Sequence, residues 1–108
     1  MAKLTKKTYQ LCLQTADRAW EVIELWPVFA KSTIGQQLIL CLDLLTVSLA
    51  KAVQSKQENK LKFINQAREH SIESLVWLDK ARRRRLLSKF DYQELYVNLQ
   101  KLNQDLNF

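Results

Sequence analysis

The densest concentration of chemically capable side chains in this 108-residue sequence is the run Lys-Ala-Arg-Arg-Arg-Arg-Leu-Leu-Ser-Lys. Lys80, Arg82, Arg83, Arg84, Arg85 and Lys89 are six cations with no acid between them. A guanidinium is a planar fork of N–H donors that matches the oxygens of a phosphate, so an arginine run points first to a polyanion. Lys60 and Lys62 add two cations to the same predicted helix and complete a candidate nucleic-acid-binding set. From Lys56 to Lys89 there are ten basic and four acidic residues, so this stretch carries the whole net charge of +6 and the other charges cancel. An acidic protein surface would satisfy the same cations, and a merely solvated charge run is the ordinary alternative. No base-reading motif accompanies the cluster, so backbone or shape recognition of RNA or DNA is expected.

The remaining reactive groups are scattered. Cys12 and Cys41 lie in apolar helical stretches without CxxC or Cys/His spacing, the pattern of small buried hydrophobes kept reduced in a cytoplasm. His70 has no second His or nearby Cys and reads as a boundary residue. Asp43 stands among large apolar residues and is expected to pair with a cation or face a solvated seam; its own helix supplies no second titratable group for acid–base work. Paired carboxylates, a Glu-x-x-His metal pattern, a nucleophile elbow and a Gly-rich phosphate loop are all missing. The sequence therefore predicts no catalytic residue, no metal and no cofactor.

Helices must position these groups. One Gly and one Pro leave little provision for tight turns, and good helix formers dominate the composition. A chain of this length makes one domain that hides roughly 65% of its unfolded surface. The predicted fold is an all-α, up-down-up-down antiparallel four-helix bundle with helices near 5–26, 33–54, 58–85 and 89–107. In the first, Tyr9, Leu13, Ala16, Trp20 and Ile23 repeat at three/four spacing, with Trp20 and Trp26 as core aromatics and Pro27 ending the helix. In the second, Ser32 and Thr33 are candidate caps and Gly35 permits close approach. In the third, Ile64, Ala67, Ser71, Ser74, Leu78 and Ala81 form a strict face. Ser88 and Asp91 fit a capping box opening the fourth, whose face is Tyr92, Leu95, Leu99, Leu102 and Leu106.

The second helix sets the assembly. Its apolar residues from Leu38 to Val53 go round the whole axis instead of forming a stripe, so a second copy or a partner is expected on the side the bundle leaves open. Ile39, Leu40, Leu44 and Val47 are the candidate oligomer interface. A transmembrane span is not expected, because the continuous apolar part is short of ~20 residues and carries Asp43 and Lys51. The start, MAKLTKKTYQ, lacks the apolar region of a signal peptide, and the expected location is cytoplasmic.

Five short segments carry a family likeness: Trp26-Pro27, Ile34-Gly35-Gln36-Gln37-Leu38, Cys41-Leu42-Asp43-Leu44-Leu45, Ala81-Arg82-Arg83, and Leu86-Leu87-Ser88 followed by Tyr92. The likeness they carry extends over nearly the whole chain. In their order the sequence resembles the four-helix-bundle family of proteins encoded by intervening sequences of bacterial large-subunit rRNA genes, and is most similar there to the accessory variability determinants of diversity-generating retroelements. The resemblance implies a non-enzymatic, ring-like homopentamer with a basic surface that binds nucleic acid and a partner reverse transcriptase. Ile39-Leu40 stands where many rRNA-associated members carry an arginine pair, and Arg85 where the family usually has Gly. The alternative function is a protein–protein scaffold, or an rRNA-associated type of bundle without direct nucleic-acid binding.

Overall fold

The computed structural model describes residues 4–107. The first three residues, which enter the reading that no leader is present, lie outside them. Four helices follow one another: α1 (Lys6–Glu24), α2 (Val28–Gln54), α3 (Gln57–Arg83) and α4 (Lys89–Asp105). Each packs on its sequence neighbours and α4 returns to α1, with α2 against α3 the most extensive pairing. The result is an all-helical, antiparallel bundle 43 × 22 × 19 Å.

The six residues of the strict α3 face, Ile64, Ala67, Ser71, Ser74, Leu78 and Ala81, are all buried. Four of them are Ala or Ser, and a helix edge of small side chains admits a neighbour's backbone closely. Across from it α2 buries Leu38, Leu42, Leu45, Leu49 and Ala52. From α4, Leu95, Leu99, Leu102 and Leu106 complete the core, as their spacing predicts.

α1 departs from expectation. Its inner face is Thr8, Cys12, Thr15, Ala19, Val22 and Ile23, whereas Leu13 and Trp20 point outward. Trp26 is a core aromatic as expected, but Trp20 is 52% exposed and its indole Nε1 donates to Glu24. Two threonines can enter the core because their hydroxyls are satisfied there. Thr15 donates back to the Leu11 carbonyl at 2.7 Å, and Thr8 donates to the Asp105 carboxylate at 3.0 Å. Thr5 and Thr8 also cap α1 reciprocally, each side chain accepting from the other's backbone N–H.

The start of α2 also differs. Pro27 both ends the path from α1 and begins the next helix, its carbonyl accepting from Lys31 N–H at 3.0 Å. Helix thus starts five residues before 33, and Ser32 and Thr33 lie inside it instead of capping it. Their hydroxyls donate back to the Val28 and Phe29 carbonyls at 3.0 and 2.7 Å. Lys31–Gly35 forms a π-turn, one residue wider than the α-helical turns beyond it.

Gly35 closes that turn and bears out the expectation of close approach. A Cβ there would lie 2.7 Å from Ile23 Cγ2 and 3.2 Å from the Ala30 carbonyl oxygen. Ile23 is buried and its β-branched side chain is stiff, so the overlap is not relieved by a rotamer change. Gly35→Ala therefore destabilises by about 1 kcal/mol net, because overpacking outweighs alanine's better helix propensity. A lowered urea midpoint at unchanged slope checks this; a raised one would contradict the close packing.

Candidate nucleic-acid interface

α3 ends at Arg83, two residues earlier than expected, and the arginine run turns the corner into α4. Arg84 is the C-cap, and Arg85 takes the left-handed conformation with φ 60°. Leu86 N–H reaches the Ala81 carbonyl and Arg85 N–H the Arg82 carbonyl, both at 3.0 Å. These two bonds make a Schellman motif with arginine at the position usually given to glycine. Leu86 and Leu87 pack against the core and hold the corner down. Ser88 then caps α4 by accepting from Asp91 N–H at 3.0 Å. The expected box is only half made, since the Asp91 carboxylate turns to Arg18.

The corner makes the four arginines inequivalent. Asp79, one residue before the basic run, accepts from Arg82 Nη2 at 2.8 Å and Arg83 Nε at 2.9 Å. These bonds hold its carboxyl below the ordinary carboxylate range. Arg82 also lies over the Tyr92 ring, 5.4 Å from its centroid, and Lys80 over Trp77 at 5.7 Å. Arg84, Arg85 and Lys89 are exposed and have no ion-pair partner among the described residues.

Lys60 and Lys62 do not join this site. They stand in the first turns of α3, about 33 Å along its axis from Arg84 at 1.5 Å per residue. Lys62 and Lys51 of α2 both approach the Phe63 ring, at 5.8 and 5.5 Å. These lysines share a helix with the arginines, but its 27 residues hold the two groups at opposite ends. By the antiparallel topology, Lys6, Lys7, Lys51, Lys56, Lys60, Lys62 and Lys101 share the lysine end, and the arginines occupy the other.

Arg18, isolated in sequence and in the second half of α1, is a functional residue that the sequence pattern does not single out. It donates through Nε to Glu94 and through Nη2 to Asp91, both at 2.8 Å, and through Nη1 to Glu21 at 3.4 Å. Bridging α1 to α4, it offsets one of the three negative charges that Glu21, Asp91 and Glu94 place beside the arginine corner. Nothing in its sequence neighbourhood signals this, since both main partners lie more than seventy residues away. Phe90 was also passed over, although it falls off the Tyr92–Leu95–Leu99 face; an aromatic off a buried stripe is the signal that finds it.

Of the candidate interface residues, Leu40, Leu44 and Val47 are exposed on the outer side of α2, and Ile39 is half-buried in a cleft with Trp20, Ile23, Glu24 and Lys31. Asp43 lies on the same outer side and faces solvent, the second of its two expected outcomes. Partial burial raises its pKa, and Asp17 of α1 raises it further. Cys12 and Cys41 are free and buried. Burial pushes the Cys12 thiol up to about 11 and raises that of Cys41, leaving both un-ionised near neutrality. His70 Nδ1 contacts Glu73 Oε1 at 2.9 Å. No group of three or more His, Cys, Asp or Glu that could hold a metal occurs among the described residues.

Arg85 separates charge from stability. A non-glycine residue in the left-handed region is strained by about 1 kcal/mol or more. Arg85→Gly should therefore stabilise the fold by about 1 kcal/mol, read as a raised urea midpoint. The same change removes an exposed cation, so it should weaken binding to a polyanion. Comparison with family models, with curated proteins and with solved structures finds no match to this chain.

Proposed function

We propose that this protein is a non-enzymatic, oligomeric accessory protein that binds nucleic acid through its arginine corner and serves a partner reverse transcriptase, as the resemblance to retroelement accessory proteins implies. The observation that carries the binding part is that Arg84, Arg85 and Lys89 project from one bundle end without an acidic partner among the described residues. Such cations release condensed counterions from phosphates, which makes affinity fall steeply with salt. Arg82 and Arg83, held by Asp79, contribute less. Lys60 and Lys62 act separately, as part of the lysine end. The location fitting this reading is the cytoplasm, where two free thiols stay reduced.

The exposed apolar side of α1 and α2 supports the self-assembly part. Leu13, Trp20, Leu40, Leu44 and Val47 form one outer face around Asp17 and Asp43. Val28–Gln54 is long and apolar enough by composition to cross a membrane. Its inner side, however, is the bundle core, so the outer side is better served by another copy. Leu61, Ile72 and Val76 along α3 give a second, different apolar surface. A contact between two unlike surfaces repeats head to tail and can close into a ring, such as the pentamer of the resemblance. The same exposed faces favour a second reading, a protein–protein scaffold whose arginines meet an acidic partner.

Fluorescence anisotropy with a labelled structured RNA separates the two readings. The accessory-protein reading expects tight binding whose logarithm falls linearly with that of salt, flattening by about 0.9 per lost phosphate contact in Arg84→Gln and Arg85→Gln. Equal binding by these variants, or none near physiological salt, would favour the scaffold. For assembly, the paired change Leu40→Glu and Val47→Glu should reduce the light-scattering mass to that of a protomer while circular dichroism keeps its helical signal. A wild-type protein that is already a monomer would overturn self-assembly.

A further inference from the structure

The arginine corner leads directly into an apolar feature that bundle packing does not use. Phe90, next to Lys89 in the first turn of α4, is 72% exposed, and Val97, two turns further on, is 62% exposed. Between them runs a shallow groove of about 370 Å³ lined by Phe90, Gln93, Glu94, Val97 and Asn98. A duplex backbone would use the three cations, which have no ion-pair partner among the described residues, but its bases are already stacked and leave the exposed phenylalanine unused. For an unpaired base it gives a face to stack on, and such stacking is tolerant of base identity. The carboxamides of Gln93 and Asn98 each carry a donor and an acceptor suited to the edge of a stacked base.

Glu94 would ordinarily repel a polyanion from such a groove. Here Arg18 Nε holds its carboxylate at 2.8 Å, and Asp91 is held by Arg18 Nη2 at the same distance. The arginine from α1 thus offsets part of the negative charge of the α4 surface, and the three cations Arg84, Arg85 and Lys89 outweigh the remainder. Charge complementarity from Arg84, Arg85 and Lys89 selects among occupants for the groove: a nucleic-acid strand, in preference to an apolar peptide.

We propose that Phe90, Val97, Gln93 and Asn98 form a nucleobase subsite, and that the ligand of the arginine corner is single-stranded nucleic acid with unpaired bases. This rests on the nucleic-acid reading above and narrows its substrate class. Phosphates lie along Arg84, Arg85 and Lys89 while one base stacks on Phe90.

The test compares three labelled probes of equal length: an oligouridine, an abasic oligomer with the same number of phosphates, and a duplex. Wild-type protein should bind the oligouridine about 5- to 150-fold more tightly than the abasic oligomer. Phe90→Ala should remove that difference and Phe90→Tyr should restore it, whereas Arg84→Gln should weaken both probes alike. Phe90 is exposed, so its replacement leaves the fold intact, which circular dichroism verifies. Equal, salt-dependent binding of oligouridine and abasic oligomer, or a preference for the duplex, would overturn the subsite and leave the nucleic-acid reading standing. Binding to none of the probes would overturn both. A change in light-scattering mass on Phe90→Ala would identify the groove as an interface between copies and likewise overturn the subsite.

Discussion

The close packing of α2 on α3 is the constraint from which the rest follows. Ala67, Ser71, Ser74 and Ala81 present so little side chain that α2 can lie against the α3 backbone, and the large leucines come almost wholly from the α2 side. Ser74 satisfies its hydroxyl within its own helix by donating to the His70 carbonyl at 2.8 Å. Because α2 gives one side to α3 and a second to α1, its third side has nothing in the protomer to cover it. The exposed apolar face is therefore a result of how the core is built.

Much of the fold was legible because α3 and α4 obey a simple rule. Their buried residues recur at three and four, although both helices also leave apolar side chains outside that face, Leu61, Ile72 and Val76 on α3 and Phe90 and Val97 on α4. α1 breaks that rule in both directions. Its buried threonines look polar in sequence, yet the Leu11 carbonyl and the Asp105 side chain satisfy them, while Leu13 and Trp20 look like core and are not. Periodicity weighs apolar character and cannot see a hydrogen bond to a residue 97 positions away. The start of α2 was hidden for a local reason: serine and threonine ordinarily announce a cap, and here they bond backward inside a helix that Pro27 has already begun.

The charged site was legible in composition but not in geometry. The arginine run does project from a bundle end. Its partition into two guanidiniums held by Asp79 and two without an ion-pair partner among the described residues depends on Asp79, which lies just outside the run, and on the position of the helix end. A chain end or corner sorts identical residues by the angle at which each leaves the axis, and that angle is fixed by the Schellman bonds. The two basic ends also differ in kind. Lysine ammoniums are compact, strongly hydrated point charges, whereas arginine forks are weakly hydrated and stack, so the ends are chemically unlike despite equal sign.

The π-turn at Lys31–Gly35 bears on how this protein can change over generations. A wide turn holds one residue more than the helix around it, so losing any single residue from it makes the helix regular instead of breaking it. One residue fewer then covers nearly the same turn, so the helix on either side keeps its phase, whereas a loss from the regular part of α2 would rotate one side against the other by about 100° and shift it by about 1.5 Å. Trp26 would keep its place in the core and the packing from Leu38 onward would stay as it is, an outcome the same loss further along α2 would not allow. The turn is thus the place in α2 where one lost codon disturbs the molecule least.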